Sequence, residues 1–264
     1  MKIINYYTLT FLISLLFCSC EEKPTLFNED DAIYFGTADS VMAYSFAKYP
    51  LRVKDTIFVP VNVLGNAVSI DRSIKVEVLK ANAGDENAAI EGHHFEIIGE
   101  QAKVAAHTVN GQLPIVVYRT QDLDEGNVVN FAIRLKRDND FPAEGIGRNQ
   151  KLTISLAYLQ EPASWGEFTG AITGFFAGYS TNFGTWSPTK YKLILDALYD
   201  PETETTITEF PGSRFGPPVL YNHYVAIVRN YIKVNYPGNY GGAGAVLNDP
   251  DFENKPIQVG PANY

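Results

Sequence analysis

Cysteine is nearly missing from this chain: its 264 residues hold two, Cys18 and Cys20, both close to the start. Beyond residue 20 there is no thiol. A disulfide framework, a cysteine nucleophile and a thiolate metal site are therefore excluded there. Histidine is scarce as well. His107 and His223 stand alone, and the side chains of His93-His94 would leave an extended strand on opposite faces. Zinc is not expected. Positive charge is short, with 21 Lys and Arg against 30 Asp and Glu and a net charge of −9. That balance argues against nucleic acid as a partner and gives no electrostatic hold on an anionic membrane. No G-x-S-x-G occurs, so a hydrolase nucleophile elbow is absent. Long apolar runs are lacking too: residues 6–17 form the nearest to one, well short of the roughly 20 that span a bilayer.

That run has the length of a secretory h-region, and Lys2 is the only charge in the first nineteen residues. It closes on Leu15-Leu16-Phe17-Cys18-Ser19-Cys20-Glu21-Glu22. This resembles the lipobox of bacterial lipoproteins, in which a small residue precedes an acylated cysteine. Ser19 is small and Phe17 is not, so the resemblance puts cleavage before Cys20. It implies a signal peptide over 1–19, lipidation of Cys20 and a lipidated tether over 20–31. Loss of Lys2 would leave 20 basic residues against 30 acidic. Glu21-Glu22 is similar to the acidic stretch that routes Bacteroidetes lipoproteins outward. The implied location is the outer membrane, lipid-anchored and exposed at the cell surface, with a periplasm-facing anchor as the alternative.

From residue 32 to 160 short β patterns follow one another. Ala32-Ile33-Tyr34-Phe35 opens the series, and residues 56–63 place Ile57, Val59, Val61 and Val63 on one face. Residues 73–79 alternate Ile74, Val76 and Val78 with Lys75 and Glu77, which reads as one half-buried strand. Residues 103–106, 113–118, 128–135 and 152–159 complete the set. Asn66, Gly84-Asp85, Gly92, Asn110-Gly111, Gly126 and Gly145 supply turn chemistry between them. Pro60 inside a strand points to an edge or a bulge. The pattern predicts a mainly β protein: an immunoglobulin-like β-sandwich followed by a smaller α+β C-terminal region with two helices.

That region, 161–264, begins rich in glycine and aromatics. Ser187-Pro188 reads as an N-cap and a first-turn proline, starting a helix through Tyr191, Ile194, Leu195 and Leu198 that stops near Asp200-Pro201. A second helix fits residues 220–234, with Tyr224, Ile227, Val228 and Tyr231 on one stripe.

Taken together, the lipobox, the segments Asp71-Arg72-Ser73-Ile74-Lys75-Val76-Glu77-Val78 and Ala89 to Phe95, Trp165-Gly166, and the helix start at Trp186 resemble a family of Bacteroidetes lipoproteins. Its members occur beside SusC/SusD-type outer-membrane uptake pairs. The first half also resembles Calx-beta-like modules. The resemblance implies an accessory role in polysaccharide or nutrient uptake, with a glycan and SusC/SusD-type proteins as partners.

Candidate chemistry is thin. Asp122, Asp124 and Glu125, and again Asp138, Asp140 and Glu144, sit in Gly- or Pro-flanked turns. Ordinary turn residues are the better reading than a glycosidase pair. Calcium candidates are Asp138 and Asp140, and Asp249 and Asp251, whose spacing misses the EF-hand pattern. No cofactor and no catalytic residue is expected. Glycan stacking would use Trp165, Tyr179 and Trp186 in the Gly-rich segment and Tyr236 and Tyr240 in a second loop; for each tryptophan, core packing is the competing reading. The expected protein is a non-catalytic surface lipoprotein. A protein-interaction or adhesion module is the second expectation and a glycan-active enzyme the third.

Overall fold

The computed structural model describes residues 30–82, 84–162, 165, 183–208 and 219–260. Two sheets face each other. The first joins β1 (Ala32–Phe35), β3 (Lys54–Leu64), β8 (Asn110–Tyr118), β7 (Lys103–Val104) and β4 (Arg72–Ser73) in that order, with β6 (Phe95–Ile97) beside β8. The second runs β2 (Val41–Ser45), β10 (Lys151–Ala157), β9 (Val129–Leu135) and β5 (Val76–Leu79). Alternation decides which residues meet in the middle. Ile57, Val59 and Val61 of β3 and Leu113, Ile115 and Val117 of β8 are buried. So are Phe131, Ile133, Leu135, Leu152, Ile154 and Leu156 of β9 and β10, all in the same cluster. Phe95 and Phe131 stack across the gap, with ring centroids 3.6 Å apart and planes 4° from parallel. This is the expected β-sandwich.

Three local expectations fail for reasons of pairing, and one strand was not foreseen. Residues 73–79 are not one strand. Arg72 pairs with Val104 in the first sheet, whereas Val76–Leu79 pairs with β9 in the second, so the chain changes sheets at Ile74-Lys75. Asn110-Gly111 is not a turn; both residues pair with β3, opposite Asn62 and Val61. Pro60 lies on a central strand, not at an edge. Its carbonyl accepts from Gly36 N at 2.8 Å, and the N and C=O of a strand residue point the same way. The missing N–H therefore faces the side where β1 has already ended. Finally, β2 pairs parallel with β10, more than a hundred residues away, and carries no alternating apolar pattern of its own.

Between β8 and β9, α1 is the short helix Gln121–Asp124; in the C-terminal region α2 is Pro188–Ala197 and α3 is Val219–Asn235. Ser187 caps α2 as expected, its hydroxyl accepting from Lys190 N at 3.1 Å with Pro188 in the first turn. Such a cap contributes about 1 kcal/mol. The helix ends a little before Asp200, at Leu198. Tyr191, Leu193, Ile194, Val228 and Ile232 are buried and continue the sandwich core without a break. Two short strands, β11 (Asn248–Asp249) and β12 (Lys255–Pro256), close the described chain.

Candidate functional site

The aromatic candidates of the C-terminal region are mostly committed to packing. Trp165 is 2% exposed, and its indole N–H donates to Gly184 O at 3.0 Å. It touches Phe183 and Tyr191, so no face is left for a ligand. Tyr240 uses its hydroxyl twice, donating to Val259 O and accepting from Val259 N, both at 2.9 Å. Between Tyr236 and Tyr240, Asn239 is a buried hub: it donates to Leu247 O and Ile257 O and accepts from Leu247 N. Tyr236 borders a cleft of about 150 Å³ with Tyr231, Lys192 and Asp196. That is below the roughly 300 Å³ where small-ligand sites begin. Trp186 is half-buried and packs on Gly126. Tyr179 and Cys20 lie outside the described residues.

The calcium candidates are engaged as well. Asp138 Oδ1 accepts from the backbone N–H groups of Asp140 and Phe141, and its other oxygen faces Lys75 Nζ at 3.3 Å. Asp140 accepts from Ser73 N at 2.9 Å. Asp249 is fully buried, accepting from the Ser187 hydroxyl at 2.5 Å and from Asp251 N at 3.2 Å. Asp249 also lends its charge to the fully buried Lys190, whose ammonium donates to Thr185 O at 2.9 Å. Burial pulls the Lys190 pKa down to about 8, and Asp249 opposes that shift. These are turn caps and a buried clasp.

The structure does bring His93 and His94 to one place with Asp122. The two histidines sit in a turn after Gly92, whose φ is +79°, and not on an extended strand. Their ligand atoms and a carboxylate oxygen of Asp122 lie within 4.8 Å of one another. Proton positions argue against a metal. Nδ1 of buried His94 accepts from Ile90 N at 2.9 Å, so Nε2 must carry the proton, which it donates to Asp122 at 3.0 Å. Coordination through Nε2 would require an imidazolate. Asp122 is pushed up by burial, but its hydrogen bonds, His94 among them, outweigh that and leave it below the usual carboxylate range. The pair ties α1 to the turn.

Unspent polar groups are found on the outer face of the four-stranded sheet. Its floor is made of small side chains, because Ala43, Ser155, Ala132 and Thr153 take outward positions in register on β2, β10 and β9. The chain after β5 rises along one side through Asn82 and Asp85 and bridges to Asn130 at Ala88. A groove of about 290 Å³ results, lined by Val78, Leu79 and Phe131 and offering Lys80, Asn82, Asn130, Lys151 and Thr153, with Asp85 partly committed because its Oδ1 accepts from Asn87 N at 3.1 Å. Lys151 also lines a neighbouring cleft of about 440 Å³ with Arg134, Arg137 and Glu144. The sequence singled out none of the cations and amides among these residues, and read Asp85 and Glu144 only as turn residues. Arg134 and Lys151 are distant in the chain and become direct neighbours only through the β9–β10 register. Another cleft, of about 450 Å³, lies between Ala47-Lys48 and Gln160-Pro162, with Tyr191 and Thr208 also lining it.

Solved structures with related strand arrangements include a candidate carbohydrate-binding protein from Bacteroides ovatus. It is 11% identical over 52% of this chain and 38% of its own, with a TM-score of 0.36. A two-domain protein of unknown function from Bacteroides fragilis is 14% identical over 55% of this chain and 53% of its own, at 0.35. The apo form of the Calx CBD1 domain is 14% identical over 49% of this chain and 98% of its own, at 0.32. The chain thus spans about half or less of the two Bacteroides proteins. No curated protein matches it. The model of the family described as a domain of unknown function (DUF4843) matches residues 22–199, more than half of the chain, and the protein belongs to that family.

Proposed function

We propose that the protein is a non-catalytic lipoprotein, anchored through Cys20 at the outer membrane and displayed on the cell surface. There it binds a glycan on behalf of a SusC/SusD-type uptake complex. The anchor rests on the leader and on the Ser19-Cys20-Glu21-Glu22 sequence. Stable attachment would need more than one acyl chain on the protein. The glycan reading is carried by the groove on the four-stranded sheet. Ala132 and Thr153 leave room over the sheet for a polymer, and Asn82, Asn130, Thr153 and the Asp85 carboxylate, one oxygen of which already caps Asn87 N, present amides, hydroxyl and carboxylate that pair with sugar hydroxyls. The non-catalytic part is supported by the carboxylates. Asp122, Asp138 and Asp140 each serve a turn or a buried histidine, whereas glycoside hydrolysis needs a pair of carboxylates free to face the scissile bond.

Affinity electrophoresis of the purified protein against a polysaccharide panel tests this. At least one polymer should retard migration, and Asn82→Ala with Asn130→Ala should relieve the retardation without lowering the unfolding temperature. Release of reducing sugar by the purified protein would contradict the non-catalytic part.

A second reading has its own observation. Phe58 is 54% exposed on the outer face of β3, opposite Pro114, with Pro60 one step along on the same side. An apolar strip of that kind suits a protein surface better than a hydroxylated polymer. A protein-interaction or adhesion role would use it, and Phe58→Ala would then abolish partner capture while leaving polysaccharide retardation intact.

A further inference from the structure

We infer that the groove takes an anionic polysaccharide, whose carboxylate or sulfate groups are held by Lys151, Arg134 and Arg137. The inference rests on the glycan reading above and names the chemical class of its ligand.

Register is the first argument. Lys151 stands directly opposite Arg134 on the exposed face of the β9–β10 pair. Like charges in that position are destabilising, with Cβ atoms about 5 Å apart. A sheet with no use for positive charge there gains from almost any other residue. Relief comes from one side only: Glu77 lies opposite Arg134 on β5, with a 3.6 Å contact between half-exposed side chains. Such a surface pair contributes at most about 1 kcal/mol.

Arg137 is the second argument. It lines the same cleft from beyond the end of β9. Among the described residues neither Arg137 nor Lys151 makes an ion pair, and Glu144, the one acid lining the cleft, reaches neither. Three cations therefore share about 440 Å³ with one anion, in a protein whose net charge is −9. Guanidinium forks match carboxylate and sulfate oxygens two bonds at a time.

Continuity is the third. Lys151 belongs to both clefts, and Lys80 lines the far one, also without an ion-pair partner among the described residues. Cations and hydroxyl-binding groups thus line two clefts that share Lys151, as a polymer carrying both acid and hydroxyl groups requires. A flat anionic membrane would meet the acidic remainder of the surface; a single polymer chain in the groove need not.

The test uses the purified full chain and its Arg137→Glu/Lys151→Glu variant. The probes are polygalacturonate, chondroitin sulfate, carboxyl-reduced polygalacturonate and vesicles of phosphatidylcholine with phosphatidylglycerol. The expected result is retardation by an acidic polymer that weakens with salt. It should fall about tenfold or more in the variant and likewise with the reduced polymer, a tenfold change being 1.4 kcal/mol. Unfolding temperature should hold or rise slightly, because the substituted side chains are exposed and the change at Lys151 removes its like-charge juxtaposition with Arg134. Equal binding of the reduced polymer and of the variant overturns the inference and leaves the glycan reading standing. Failure of every polysaccharide overturns both. Vesicle binding lost in the variant, with no polysaccharide bound, makes the patch a lipid site and overturns the inference.

Discussion

The C-terminal region and the four-stranded sheet use polar groups in opposite ways. Around α2 and β11, Ser187, Lys190, Asp249, Asn239 and the Tyr240 hydroxyl all bond inward, to one another or to nearby backbone. On the sheet, Lys80, Lys151 and Arg137 line open clefts and make no ion pair among the described residues. The first arrangement holds a loop-rich segment in place where regular pairing is sparse. The second leaves hydrogen-bonding capacity and charge for something else. Richness in aromatics and glycine, which drew attention to the C-terminal region, proves a poorer guide to a binding surface than unspent polarity.

Substitutions should separate the two regions sharply. Trp165→Ala removes a fully packed indole and should cost about 3–5 kcal/mol in denaturant unfolding. Phe58→Ala, on the open face of β3, should stay within about 0.5 kcal/mol. Asp249→Ala removes the negative charge that opposes the cost of burying Lys190 and strips the Ser187 hydroxyl of its acceptor; a loss of about 3–5 kcal/mol is expected. Asn239→Ala leaves Leu247 N and Ile257 O without their side-chain partner, while Leu247 O keeps Ile257 N, at about 1–3 kcal/mol for each group left unsatisfied and buried. None of these changes should alter polysaccharide retardation of the folded protein if the groove is the site.

Lys190 also gives the region a signature in pH. Its folded pKa of about 8 lies below the ordinary lysine value of 10.5. Between those limits the unfolded chain binds a proton that the folded protein does not, so stability contributed by this group increases as pH rises through 8 toward 10. Tyr44, Tyr158 and Tyr231 work the other way, since burial raises their pKa values and their contribution is lost above pH 10. Unfolding temperature followed from pH 7 to 10 should therefore gain a rising component that Lys190→Met abolishes. Smallest of all is the expected stability change for Arg137→Glu/Lys151→Glu, a gain within about 0.5 kcal/mol as the like-charge pair with Arg134 is relieved.

Local chemistry was legible in the sequence, and pairing was not. Ser187-Pro188 announces α2 because a cap and a first-turn proline act within one turn of chain. The strands around Val59, Ile115 and Ile133 were visible through alternation, which survives any choice of partner. The break at Ile74-Lys75 was hidden because alternation continues unbroken while the hydrogen-bonding partner changes sheets. Strand β2 was hidden because its stability comes from β10 and not from its own pattern. The groove was invisible for the same reason: Lys80, Arg134 and Lys151 form no motif, and only strand register assembles them. Of the aromatic candidates, the fate of Trp165 was open because an indole reads alike whether it packs a core or a sugar ring.

Hydrogen–deuterium exchange of the full chain, with and without a saturating acidic oligosaccharide, tests the central claim most directly. Protection confined to residues 80–89, 130–137 and 150–153 is the predicted result. Protection confined to residues 236–240 and the start of α2, with those strands unchanged, would contradict it.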